Sequence, residues 1–205
     1  MSLWELEEQY WEKGYTTVCG ADEAGAGPLA GPVYGAAVIL PRYLKLKWLN
    51  DSKQVTPKRR EVLFGQIKEQ AVAWSVASVD AAEIDETDIL SARMKAMELA
   101  IGGLTVPPDF ALIDGNRDRG QTAAITADHA CIVKGDSLSA SIAAASILAK
   151  VSRDRYMVEM AEKYPEYRFE KHKGYGTPLH YQMLDKYGPC PLHRKTFLKT
   201  WEARK

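Results

Sequence analysis

One stretch limits the fold of this chain more than any other: "CGADEAGAGPLAGPVYGAAVIL", residues 19–40. Two β-type runs, "TTVCGAD" and "VYGAAVIL", flank "EAGAGPLAGP", a connection too rich in Gly and Pro to be a helix. The pattern predicts an antiparallel hairpin with an unusually glycine-rich turn. Two adjacent acids, Asp22 and Glu23, stand where the first run meets that turn. Gly25, Gly27 and Ala30 match the spacing of a dinucleotide cradle, but such a cradle needs a helix at once after it, and Pro28, Gly31 and Pro32 forbid one. A bare glycine backbone beside acids has another use, because its N–H groups can approach a phosphate or sugar closely.

The remaining elements follow from capping signals and periodicity. "SLWELEEQYWEKG" has Ser2 at a capping position, Glu5 three residues on and Gly14 as a stop, which predicts a helix over residues 2–14. "VTPKRREVLFGQIKEQ" opens a helix at Thr56-Pro57 and leads into "AVAWSVASV" as a strand. A helix from about 88 to 101, strands in "DFALIDG" and "HACIVKGD", and a long helix through "SASIAAASILAKVSRDRYMVEMAEKY" complete the pattern. Helices interleaved with strands after an opening meander predict an α/β layered domain. The 205 residues, 46% of them apolar, suffice for one packed core, so residues 1–205 are expected to form a single domain. From about residue 165 the chain turns basic and aromatic, with another helix start at Thr177-Pro178, and a small helical C-terminal portion is expected there.

Three of these strands end in, or close to, an aspartate: Asp22, Asp114 and Asp136. In one sheet, their ends can gather Asp22, Glu23, Asp114 and Asp136 at one rim. Taken singly, each Asp stands near Gly and equally suits a turn or cap. Four clustered carboxylates cannot all stay ionised in a partly buried site without a compensating charge. A hard divalent cation resolves that conflict, and oxygen donors without a Cys/His set point to Mg²⁺ or Mn²⁺ rather than zinc. Phosphoryl chemistry at a two-metal site is the natural expectation.

Composition narrows the setting. The longest apolar stretches are too short and too rich in Ala, Ser and Gly to span a bilayer, and the N-terminus lacks a secretory pattern, so a cytoplasmic protein with no membrane partner is expected. Cys19, Cys131 and Cys190 are odd in number and widely separated, as reduced bystanders would be. The zero net charge hides an asymmetry: residues 1–149 hold 14 Lys and Arg against 20 Asp and Glu, whereas residues 150–205 hold 13 against 7. A basic C-terminal portion beside an acidic cluster suits a protein that grips phosphates with one part and holds metal with another, although ordinary surface charge gives the same counts.

The stretches "GADEAGAGPLAGPV", "NDSKQVTPKRRE", "EIDETDIL", "ALIDGN", "VKGDSLSASIAAASILAKVSRDR", "HKGYGT" and "HRKTF" run in order from residue 20 to 197, and in them the chain resembles bacterial ribonuclease HII, the type 2 ribonuclease H. The resemblance implies a ribonuclease H-like mixed five-stranded sheet flanked by helices. It also implies an endonuclease acting on RNA–DNA hybrids and on duplex DNA containing ribonucleotides. Such an enzyme nicks the 5′ side of a single embedded ribonucleotide, leaves a 3′-hydroxyl and a 5′-phosphate, and serves ribonucleotide removal in replication and repair. On matching positions, Asp22, Glu23, Asp114 and Asp136 would be the catalytic, metal-binding carboxylates for Mg²⁺ or Mn²⁺. Gly25, Ala26 and Gly27 would grip the junction through backbone groups, Tyr175 would pack on the sugar and sense the 2′-hydroxyl, and Lys53 would meet a backbone phosphate. A monomer is expected.

Other residues carry alternatives. Asp154 matches the family pattern, but with Arg153 and Arg155 beside it a structural ion pair is the stronger expectation than a fifth ligand. His172, His180 and His193 are chemically able to ligate metal, but they stand in basic segments, where phosphate contacts or plain surface roles are the stronger expectation. The family carries Gly-Arg-Gly where this chain has Gly25-Ala26-Gly27, so weaker substrate binding is expected. A binding-only protein and a different metal nuclease on the same fold are the competing readings; the intact carboxylate set speaks against the first and "GYGT" against the second.

Overall fold

The computed structural model describes residues 2–115 and 125–204. Its centre is a five-stranded mixed sheet of order β3-β2-β1-β4-β5. β1 (Val18–Ala24) and β2 (Val33–Ile39) form the expected antiparallel hairpin, and β3 (Ala73–Val79) extends it antiparallel to β2. β4 (Phe110–Asp114) lies parallel to β1, and β5 (Asp128–Ile132) parallel to β4.

Helices cover both faces. α5 (Ala140–Lys163) and α2 (Pro57–Gln70) pack on one side against Ala36 and Val38. α4 (Ile89–Gly102) covers the other side, against Cys19, Ala21, Ala37 and Ile39. Strand alternation explains the division, since successive side chains point to opposite faces. Gly20 is required where β1 crosses α5: a Cβ there would lie 2.2 Å from the Ile142 nitrogen.

Local signals set most boundaries. Asp88 caps α4 by accepting the N–H groups of Leu90 and Ser91, and Ser139 caps α5 by accepting that of Ile142. α1 (Glu5–Glu12) begins a turn later than expected, because Ser2 and Glu5 spend their bonds on the turn before it. Its Glu7 is buried against α5 and accepts from Ser139 Oγ at 2.6 Å and the Ser141 N–H at 2.9 Å. α3 (Ala81–Glu86), which periodicity missed, is only six residues long and depends on its Asp80 cap.

The C-terminal portion holds α6 (Phe169–His172), α7 (Pro178–Tyr187) and α8 (Lys199–Glu202). No helix among the described residues is long and apolar enough to cross a membrane.

Candidate active site

β1 and β4 run in parallel with Ala21 beside Ile113, so the next residues, Asp22 and Asp114, reach the same rim together. Alternation then separates the adjacent acids of β1. Asp22 shares the α5 face with Gly20, whereas Glu23 turns to the α4 face, where Arg93 Nη2 meets its Oε1 at 2.7 Å. Carboxylate oxygens of Asp22, Glu23 and Asp114 all lie within 4.8 Å of one another.

Asp136 stands differently from expectation. β5 ends at Ile132, Lys134 turns the chain with φ of 56°, and Asp136 sits on a short 3₁₀ turn, Gly135–Ser137. Asp114 Oδ1 anchors that turn by accepting the Gly135 N–H at 2.7 Å. The Asp136 carboxyl shares a hydrogen bond with Asp51, and it lies outside the tight group of three.

The electrostatics are those of a site short of positive charge. Burial first, then the charges of Glu23, Asp114 and Asp136, holds the Asp22 carboxyl well above the usual carboxylate range. Burial also raises Glu23, against the pull of Arg93. Burial, with Asp114 and Asp51, pushes Asp136 up to about 6. Lys53 is lowered by burial, but Asp51, Asp136, Asp22 and Asp114 outweigh that and raise it overall. Among the described residues, the buried Glu23 Oε2 has no hydrogen-bond partner. An all-oxygen donor set with an unused buried acceptor fits a hard divalent cation.

A model of the family "Ribonuclease HII" matches residues 19–200. The chain belongs to the ribonuclease HII family. It is 52% identical over 198 residues to ribonuclease HII of Caldicellulosiruptor bescii, covering 97% of this chain and 94% of that one. The crystal structure of ribonuclease H2 from Pyrococcus horikoshii superposes with a TM-score of 0.79 at 27% identity, covering 92% of this chain and 98% of that chain. Bst-RNase HIII, solved in complex with Mn²⁺, shares the fold with a TM-score of 0.71 at 18% identity, over 92% of this chain and 69% of that chain. The protein is a ribonuclease H, a nuclease of the hydrolase class.

In this ribonuclease H the wall beside the acids is a cavity of about 220 Å³ lined by Asp22, Glu23, the glycine loop, Lys53, Lys150 and Tyr175. The structure therefore brings Gly25, Ala26, Gly27, Lys53 and Tyr175 together with two of the four acids. Gly25 has φ of 97°, a conformation side chains rarely adopt, and a Cβ there would strike Arg153 Nε at 2.1 Å. The Tyr175 ring is 42% exposed and faces the Gly27 position, where a Cβ would lie 3.9 Å from its Cε1.

Two buried arginines shape this wall, and although both stand in recognised stretches, nothing in local sequence shows that they bond to the glycine loop. Arg194 donates to the carbonyl oxygens of Gly25 (2.6 Å), Ala26 (2.9 Å) and Gly31 (2.8 Å). Arg153 donates to Ala30, Pro32 and Lys173, tying the glycine loop to the segment before Tyr175. Each fork satisfies several carbonyls at once, which a planar guanidinium does better than any other side chain.

Asp154 forms the expected structural ion pair with an unexpected partner, and the histidine expectation is corrected. Asp154 pairs with Lys150 at 2.6 Å, one turn away, and with neither neighbouring arginine. Successive helix residues point about 100° apart and do not face each other. Arg155 instead pairs with Glu61. The three histidines are buried, not surface groups, with His180 fully enclosed. Asp51, within the recognised "NDSK" motif, and Arg93, on α4, are site residues that sequence reading had not singled out.

Proposed function

We propose that this ribonuclease H cuts RNA–DNA hybrids and nicks duplex DNA on the 5′ side of a single embedded ribonucleotide, releasing a 3′-hydroxyl and a 5′-phosphate. Asp22, Glu23, Asp114 and Asp136 are the metal-binding and catalytic carboxylates in this reading, and the group of three within 4.8 Å at the rim of β1 and β4 carries it. Asp22, at the centre of the motif and crowded by the charges of Glu23, Asp114 and Asp136, would hold the cation together with Glu23 and Asp114. Mg²⁺ or Mn²⁺ held there supplies Lewis acidity to the phosphate and the attacking water.

The chain's own groups do the positioning. Arg153 and Arg194 occupy the carbonyl oxygens of Gly25, Ala26, Ala30, Gly31 and Pro32, which supports a role for the N–H groups of Gly25, Ala26 and Gly27 toward the strand at the junction. Tyr175 packs on the deoxyribose next to the ribonucleotide, and the 2′-hydroxyl is what separates the two sugars. Lys53 and Lys150, at the same cavity, neutralise phosphate without reading sequence. The basic portion from about residue 165 belongs to the same domain and carries Tyr175 to the site.

Cleavage of a labelled DNA duplex with one ribonucleotide, in Mg²⁺, Mn²⁺ or chelator, tests this. A metal-dependent cut at the 5′ side of the ribonucleotide is the expected result. Cutting restricted to long hybrids, with the embedded ribonucleotide untouched, would favour the reading of a hybrid-only nuclease on this fold.

A further inference from the structure

Trp48 occupies a place that backbone chemistry reserves for glycine. The Leu49 N–H donates to the Leu46 carbonyl at 3.2 Å, closing a four-residue turn with Lys47 and Trp48 at its centre. Trp48, third in that turn, has φ of 71°. A turn with positive φ at this position ordinarily takes Gly or Asn, and a bulky residue there is an outlier. Burial does not account for it, since Trp48 is 40% exposed. Tyr43, also at positive φ, differs in kind: its ring is packed with those of Trp4 and Trp11.

What the Trp48 ring touches is positive charge. Lys47 Nζ lies 4.9 Å from its centroid and the Arg59 guanidinium 5.0 Å, from the first turn of α2. Arg42, Lys45, Lys47, Lys58 and Arg59 are all exposed, and among the described residues none is in an ion pair. Three cations in the first turn of α2, with no acid there, also oppose the helix dipole. Strain, exposure and unbalanced charge therefore coincide on one small surface. Lys53, at the active-site cavity, is five steps along the chain from Trp48, a span of at most about 18 Å. Half a turn of duplex is about 17 Å, so a duplex seated at Lys53 can reach this surface.

The geometry points to a phosphate clamp formed by Lys47 and Arg59 on the Trp48 platform, gripping the backbone of the bound duplex beyond the catalytic centre. It rests on the nucleic-acid reading of the site. Trp48 is the positioning residue: its ring holds two long, otherwise mobile cations at one spot, reducing the ordering cost when phosphate arrives. The contact is to backbone, so it adds affinity without sequence preference.

The test measures anisotropy of a labelled duplex with one ribonucleotide in chelator, where no cleavage intervenes, over a range of salt. For the Lys47→Gln/Arg59→Gln double variant the expected result is an affinity loss of roughly tenfold and a salt slope shallower by about 1.8, the value for two released phosphates. Trp48→Gly should weaken binding while its melting temperature holds or rises, because glycine suits that φ; a merely structural tryptophan would lower the melting temperature instead. Lys68→Gln, at the far end of α2 with Lys68 packed on Trp74, is the control and should match the parent. Parent-like affinity and slope in the double variant, with the parent binding well, overturn the clamp. Failure of the parent itself to bind any duplex overturns the nucleic-acid reading on which the clamp rests, and the clamp with it.

Discussion

The Nε2 atoms of His180 and His193 lie 2.9 Å apart, so one proton is shared between them and a second cannot enter without breaking the contact. Backbone partners fix the arrangement. His180 Nδ1 donates to the Tyr175 carbonyl at 3.0 Å, leaving its Nε2 as acceptor. His193 Nε2 is then the donor, and its Nδ1 accepts the Cys190 N–H at 2.9 Å. His172, stacked on His180, donates from Nε2 to the Tyr167 carbonyl and accepts the Gly174 N–H. All three rings are neutral in this network, beneath the segment that carries Tyr175.

Acid should therefore loosen that segment. Burial lowers both His180 and His193 to about 4, well below the ordinary histidine value of about 6.5. The unfolded chain binds more protons between those values, so the stabilisation is complete above about pH 6.5 and is lost as pH falls toward 4, by at most about 3 kcal/mol per ring. The raised carboxylates of the active site work in the opposite direction, because their protonation relieves repulsion. His193→Gln separates the two, since its amide can still donate to His180. Urea denaturation across that pH range should show a shallower acid loss in the variant than in the parent, and parallel curves would contradict the argument.

Asp22→Asn should give two effects of opposite sign. Cleavage is expected to fall by a factor on the order of a thousand, the usual scale for losing a group that stabilises developing charge. Stability in chelator should rise, because a buried carboxylate held above its ordinary range by burial and like charges weakens the fold at neutral pH. Melting with and without chelator, beside a cleavage assay, reads both.

Much of this site was legible because Asp22, Glu23 and Asp114 stand at or near the ends of β1 and β4, and strand register places such residues side by side. Asp22 and Asp114 follow from the pairing of Ala21 with Ile113. The arginines were not legible: Arg153 and Arg194 bond to main-chain carbonyls far away in sequence, and no local spacing announces a carbonyl partner. The buried histidines were misjudged because a polar residue in a basic segment ordinarily faces water, whereas here a closed hydrogen-bond network compensates for burial. Asp136 left its strand because Lys134 adopts a left-handed conformation that hydrophobic pattern cannot show.

Arg93 is the counter-charge paired directly with Glu23, so its removal should make the fold depend more on metal. Its guanidinium is partly exposed while Glu23 is nearly enclosed. Breaking the pair leaves Glu23 among acids, and Arg93→Met should cost roughly 1–3 kcal/mol in chelator. The rise in melting temperature on adding Mg²⁺ should be larger than in the parent, since the ion then supplies the compensation that Arg93 gave, with only Lys53 beside it. An equal or smaller rise would show that Arg93 does not share that task.

Arg194→Lys should unfasten the glycine loop without removing the charge. A lysine keeps the cation but cannot reach Gly25, Ala26 and Gly31 together as the planar fork does. The expected loss is about 2–4 kcal/mol in urea denaturation, because buried carbonyls lose charged donors. KM for the ribonucleotide-containing duplex should rise more than kcat falls, since the loop positions substrate while the acids stay in place. A fall in kcat at unchanged KM would place Arg194 nearer the chemistry than its contacts indicate.

Ala26→Arg tests what the side chain at the centre of the glycine loop adds once the backbone is already held. The Ala26 carbonyl is fixed by Arg194 and the residue lines the active-site cavity, so a guanidinium introduced there enters a preformed wall. One new charge-assisted contact to a phosphate is worth about 1.5–3 kcal/mol, or roughly ten- to a hundredfold in affinity. It should also steepen the salt dependence of binding by about 0.9 in slope. Anisotropy titrations in chelator measure both quantities, and cleavage at subsaturating substrate should rise in step. An unchanged affinity and slope would mean that the loop acts through its N–H groups alone, and that alanine at this position costs the enzyme nothing in substrate binding.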